Sequence, residues 1–332
     1  SHLLQPLGGT PPGVYDVQLV LFDRATLLPV APLDGQGQAV LLETVRVERP
    51  EEPAPVEAFQ PQYEAGWSRG PLRLLGYNLD RVEAAPGEPF LLTLFWQADE
   101  EPQEAFTVQL TLLDPEGNSV LTRSLPPAAD WYPTTEWQAG DRWRGQHALR
   151  LPAGLESGRH RWQLALCREE QPCDPVGEPF ALGHLDVKAP ERSYDVPAFS
   201  HPVGERLGEV VTLLGAKLPD DAPAPGASFN VTLVWRAERE MESSYRVFLH
   251  LLGPQGDVVA QSDGEPASWT RPTTGWLPGE IILDERSLSL PAELPAGDYR
   301  LVAGLYDPQS GERLLPPNGE SAATVASLRI GP

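Results

Sequence analysis

The residues with the most obvious chemical potential are two cysteines, Cys167 and Cys173, the only two in the 332-residue chain. They flank Arg168 to Pro172, at the turn that follows the alternating run Trp162-x-Leu164-x-Leu166. A metal site needs more ligands than two thiols, and no histidine stands near in sequence. A redox pair favours Cys-x-x-Cys spacing. The spacing therefore favours a structural disulfide across a hairpin turn, with two free thiols as the alternative. Six histidines are scattered without a His-x-x-x-His pair, and the motifs Gly-x-Ser-x-Gly, Gly-x-x-x-x-Gly-Lys and Gly-x-Gly-x-x-Gly are absent. Asp114-Pro-Glu-Gly-Asn118 and Asp307-Pro-Gln-Ser-Gly311 are too short for calcium loops and match type I turns. The sequence thus nominates no catalytic residue, no metal ligand and no cofactor.

Nine tryptophans raise a second chemistry, because a flat aromatic can stack on a sugar ring. Trp96, Trp162 and Trp235 fall on inward positions of alternating runs, so they read as core. Trp137 and Trp276 share the motif Pro-Thr-Thr-x-Trp-x-x-Gly and read as plugs at one end of a sandwich. Trp131, Tyr132 and Trp143 have no such assignment, and they are the candidate carbohydrate platform.

These residues must be positioned by elements, and the elements repeat. Trp96 and Trp235 stand 139 positions apart (235 − 96). The same offset links Leu75-Gly76 to Leu214-Gly215, Pro86-Gly87 to Pro225-Gly226, Trp137 to Trp276, Gly140 to Gly279 and Leu151-Pro152 to Leu290-Pro291. A constant offset over this span predicts two copies of one module. A partial third copy opens the chain: Pro12-Gly13-Val14-Tyr15-Asp16 parallels Ala296-Gly297-Asp298-Tyr299-Arg300. The linkers repeat too, since Val56-Glu57-Ala58-Phe59 returns as Val196-Pro197-Ala198-Phe199. Phe59 and Phe199 are expected to peg each linker onto a sandwich. The expected division is a half module over 1–48, a linker over 49–66, a module over 67–188, a linker over 189–208 and a module over 209–332. Alternation such as Phe229-x-Val231-x-Leu233-x-Trp235, broken by Gly and Pro turns, predicts an all-β fold of tandem immunoglobulin-like antiparallel β-sandwiches. About seven strands are expected in each.

The second copy reads Val234-Trp235-Arg236-Ala237, Val247-Phe248-Leu249-His250-Leu251-Leu252, Gln261-Ser262-Asp263-Gly264, Thr270-Arg271-Pro272-Thr273-Thr274-Gly275-Trp276 and Gly304-Leu305-Tyr306-Asp307. This resembles the β-sandwich repeats at the extracytoplasmic C-terminal ends of large bacterial membrane proteins, many of which look like glycosyltransferases that use lipid-linked sugar donors. The first copy departs from the pattern: Trp131-Tyr132 replaces Thr-Arg, and Cys167 replaces the Tyr of the last turn. The resemblance implies an accessory, outward-facing role at a bacterial cell surface and supplies no catalytic residues.

Composition narrows the partners. The 25 basic and 47 acidic residues leave a net charge of −22, which repels nucleic-acid phosphate and anionic headgroups. No run of about 20 apolar residues exists to enter a membrane directly. No signal peptide is visible, and the chain reads as a fragment of something longer. The expectation is a non-catalytic structural, spacer or interaction array. Its partner would be a glycan or another protein, and the runner-up is a carbohydrate-binding module assisting a glycosyltransferase. Residues 13–47, with late strands and no early ones, are expected to self-associate or to dock on the neighbouring module.

Overall fold

The computed structural model describes residues 4–21, 39–168, 173–220 and 223–330. Residues 169–172, between the cysteines, lie outside that set, as do 22–38 of the segment expected to self-associate. The chain divides into two compact units, Ser1–Ala189 and Pro190–Pro332.

The first unit opens with an antiparallel hairpin of β1 (Gly13–Leu19) and β2 (Val40–Val47). Then come β3 (Tyr63–Arg69), β4 (Leu72–Leu79), β5 (Glu83–Ala84), β6 (Pro89–Ala98), β7 (Phe106–Leu113) and β8 (Ser119–Leu125). They are followed by β9 (Arg142–Arg150), β10 (Gly158–Arg168), β11 (Asp174–Pro175) and β12 (Phe180–Val187). One sheet runs β3-β4-β6-β9. The other runs β5-β12-β10-β7-β8, with β11 on β10 and β5 parallel to β12. Both sheets turn their apolar residues to one core, as period-two alternation requires. Phe106, Val108, Leu110 and Leu112 of β7 are buried with Leu92, Leu94 and Trp96 of β6. Phe90 of β6 stacks on Trp162 of β10 at 4.9 Å, joining the layers.

The second unit contains β13 (His201–Leu207), β14 (Val211–Lys217), β15 (Ser228–Ala237), β16 (Arg246–Leu252), β17 (Val258–Gly264), β18 (Ile281–Ser289), β19 (Gly297–Tyr306) and β20 (Ala323–Ile330). Its sheets run β13-β14-β15-β18 and β17-β16-β19-β20 and are antiparallel throughout. Trp235 and Trp276 are fully buried in its core with Leu249, Leu251, Leu301 and Leu305. Tyr299 donates its hydroxyl to the Pro295 carbonyl at 2.7 Å, the tyrosine corner of immunoglobulin-type sandwiches.

Strands β14 to β20 give the expected seven, three against four. An eighth, β13, is added at the edge of the first sheet, and β3 holds the same place in the first unit. Both lie largely inside the stretches read as linkers, 49–66 and 189–208, which are therefore shorter than expected. The reason is a bulge. Gly66 and Gly204 have φ of 61° and 75°, and register shifts there, between Glu64 and Trp67 and between Pro202 and Glu205. An inserted glycine breaks period-two alternation, and Pro202 is tolerated because β13 is an edge.

Candidate functional site

The Pro-Thr-Thr-x-Trp-x-x-Gly loop is built alike in the two units. Pro133 and Pro272 are extended and lead into single 3-10 turns, Thr134–Glu136 and Thr273–Gly275. The threonine hydroxyl fastens the loop to the first residue of β7 and to the residue just ahead of β16. Thr134 Oγ1 accepts the Phe106 N–H at 2.9 Å, and Thr273 Oγ1 accepts the Tyr245 N–H at 2.9 Å. The indole plugs the core: Trp137 and Trp276 are buried and donate Nε1–H to the carbonyls of Tyr132 (3.4 Å) and Arg271 (3.1 Å). Gly140 and Gly279 then adopt φ of 88° and 82°, a region that favours glycine. There they donate to the Ala98 and Ala237 carbonyls, each at 2.7 Å.

The next residue is an acid in both units, and it holds the linker. Asp141 accepts the Gln138 N–H at 2.7 Å, and Glu280 accepts the Leu277 N–H at 2.9 Å. Arg49, at the start of the first linker, reaches Asp141 at 2.5 Å and the Glu136 carbonyl at 3.3 Å. Arg192, at the start of the second, reaches Glu280 at 2.6 Å and the Gly275 carbonyl at 3.1 Å. Glu280 is also paired with Arg271. The side chain of Glu280 is 0% exposed and that of Asp141 7%, so both pairs sit largely out of water. The Ser193 carbonyl further accepts the Ile281 N–H at 2.8 Å. Each linker is thus latched to the plug loop of the sandwich that follows it.

Phe59 and Phe199 supply a second attachment, at different spots. Phe59 is buried with its ring 5.5 Å from Phe95, and the Arg144 guanidinium lies over the Phe95 ring at 4.9 Å. Phe199 is half-buried over Gly215, where a Cβ would come within 2.4 Å of its ring. At the corresponding Gly76 the cover is Pro61 and the Tyr63 carbonyl.

The proposed sugar platform is not assembled. Tyr132 and Trp143 are buried, edge to face at 5.2 Å, and present no free ring face. Trp143 occupies an inward position of β9, where β18 places the buried Ile282. Trp131 alone is exposed, at 58%. It borders a groove of about 320 Å³ lined by Ser124, Asp130, Gln146 and His147. Its Nε1–H is donated to the Pro12 carbonyl at 3.1 Å, and its ring meets Tyr15 at 5.8 Å. Arg144 adds bonds from its N–H to Gly9 O (2.7 Å) and from Nε to Gly8 O (3.2 Å). The residues ahead of the β1–β2 hairpin, and Tyr15 within it, are therefore seated on the first sandwich.

Cys167 and Cys173 are joined in a disulfide. It joins β10 to the residue that precedes β11, two strands paired by only two residue pairs. Converting both cysteines to serine should cost the first unit about 2 kcal/mol, from the loop entropy regained by the unfolded chain. Urea denaturation measures this, and an unchanged midpoint would refute it. Asp114 and Asp307 hold turns: Asp114 accepts the Asn118 N–H at 2.7 Å, and Asp307 the Gln309 N–H at 2.7 Å. The side-chain hydrogen bond from Asn118 is the main reason the Asp114 carboxyl lies below its usual pKa.

The latch was missed by sequence reasoning. Asp141 and Glu280 obey the repeat offset, but the arginines stand 143 apart (192 − 49), because the linkers differ in length. No helix among the described residues is long and apolar enough to cross a membrane.

No protein-family model matches the chain, and no curated protein matches it. Among solved structures it is similar to the C-terminal domain of Wzt, at 10% identity over 40% of this chain and 84% of that one, with a TM-score of 0.29.

Proposed function

We propose that this chain is a non-catalytic array of tandem β-sandwich modules that acts as a spacer or interaction arm of a larger protein. The observation that carries the reading is the latch. An arginine at the start of each linker makes an ion pair with the acid that follows the plug loop's glycine, and donates to a carbonyl of the same loop. A connector that only had to link would need neither a buried acid partner nor an aromatic peg. The disulfide supports an oxidising compartment outside the cytoplasm, as at a bacterial cell surface. The net charge of −22 weighs against nucleic acid as a partner.

A latched linker resists proteases, because cleavage requires local opening. Arg49→Ala should open residues 49–62 to limited proteolysis under conditions where the unaltered chain stays intact there. Equal resistance in both proteins, or specific turnover of a substrate by the chain, would sink the spacer reading. A second reading, carbohydrate binding, retains one supporting observation: the exposed indole of Trp131 beside a polar groove. Binding on a glycan array that Trp131→Ala abolishes would favour it over the spacer.

A further inference from the structure

The β1–β2 hairpin has the marks of the last two strands of a sandwich. Its register shifts between Val17 and Gln18. The pair β10–β12 shifts between Trp162 and Gln163, and β19–β20 between Leu301 and Val302. These are the same position when Gly13, Gly158 and Gly297, the first residues of the three strands, are aligned. Tyr15 donates to the Pro11 carbonyl at 2.8 Å, as Tyr299 does to Pro295 at 2.7 Å. Bulge and corner together fix which edge and which face of the hairpin correspond to those of the complete sandwiches.

On the corresponding edge, β10 carries β7 and β19 carries β16, each antiparallel over seven or eight residues. Among the described residues β1 has only β2 as a neighbour. The face that is core elsewhere is half-buried at Tyr15 and Val17 and open beyond them. Leu305 and Val325 are 0% and 5% exposed, whereas their counterparts Leu21 and Leu42 are 58% and 54% exposed. The open edge is held in place at its beginning by the contacts of Pro12 and Tyr15 with Trp131. Exposed backbone donors and acceptors beside an apolar face, on an anchored strand, form a template for strand addition.

We propose that β1 is an acceptor for an added β-strand. The strand lies antiparallel along Asp16–Leu21, and its alternate residues are apolar, as in the Val247-x-Leu249-x-Leu251 of β16. The occupant's chemistry follows from the equivalent site, where those side chains fill the core against Leu301 and Leu305. Main-chain bonds would supply affinity and the alternate apolar side chains would supply register.

The test uses the full chain and, as probe, a synthetic peptide of residues 244–264, which spans β16 and β17. Hydrogen exchange is followed at the amides of Asp16–Leu21 that point away from β2. Excess peptide should slow their exchange about tenfold or more. The same peptide carrying Leu249→Arg and Leu251→Arg should leave them unchanged. The inference is overturned if the unaltered peptide gives no protection, or if both peptides protect alike. It is equally overturned if these amides are protected in the free monomer. Protection that tracks the chain's own concentration and not the peptide's would assign the edge to a second copy, and would also overturn it.

Discussion

Glu280→Ala should destabilise the second unit by about 3–5 kcal/mol, the loss seen when one partner of a buried ion pair is removed and the other is left behind. The carboxylate has no exposure and faces two guanidiniums, those of Arg192 and Arg271, whose side chains are only 15% and 16% exposed. It also accepts the Leu277 N–H. Removal therefore takes the carboxylate from two guanidiniums and one amide donor at once. Arg192→Ala should be milder, because Arg271 still neutralises the acid. A Glu280/Arg192 double-mutant cycle should then show clear coupling. In the first unit Asp141 has one such partner among the described residues, and Arg49 is 29% exposed, so Asp141→Ala should cost less than Glu280→Ala. Thermal and urea unfolding of the variants measures each value. A Glu280→Ala loss within about 1 kcal/mol of zero would mean that water or a side-chain shift relieves the two arginines.

What was legible in the sequence was whatever repeats at one offset or alternates with period two. Trp96, Trp235, Trp137 and Trp276 met one or both conditions, and all four are buried. The latch was half legible. Gly140-Asp141 and Gly279-Glu280 preserve a glycine and an acid, but their arginine partners lie across a linker that changes length. Burial of an acid shows in sequence only when its partner can be named. β3 and β13 were hidden by their glycine bulges, which shift later residues to the opposite face. Trp143 could have been assigned to the core from Ile282, its apolar counterpart. Tyr132 could not, because its counterpart is Arg271, a charged member of the Glu280 cluster. At that position the two units differ in chemistry, so comparing them gives no guidance.

The same divergence at two further positions predicts that acid will weaken the first unit. In the second unit Asp284 and Arg286 form a buried pair at 2.9 Å. Asp284 accepts the Ala267 N–H at 2.8 Å, and Arg286 donates to the Gly264 and Glu265 carbonyls at 3.0 and 2.9 Å. The pair thereby binds the loop that contains Pro266–Trp269, in which Ala267, Ser268 and Trp269 all have positive φ. In the first unit the corresponding residues are Gly145 and His147. A Cβ on Gly145 would fall 2.1 Å from the Pro127 carbonyl, so the loop backbone settles where the aspartate would stand. His147 lies beneath it, 6% exposed, with its Nε2 buried and without a hydrogen-bond partner among the described residues. Burial pushes the His147 imidazole down to about 4, against 6.5 when free. Between those values the unfolded chain takes up a proton that the folded unit refuses. This contribution is therefore complete above pH 6.5 and is lost progressively as pH falls toward 4. A shift of that size corresponds to about 3 kcal/mol. Burial moves Asp284 the other way, raising its pKa, so at the corresponding place in the second unit protonation favours the folded form. The first unit should accordingly lose stability between pH 7 and pH 4, and His147→Leu should flatten that dependence while Asp284→Asn leaves it in place. Urea midpoints followed through the first unit's own tryptophans across this range decide the matter. An unaltered slope in His147→Leu would assign the acid sensitivity to other groups.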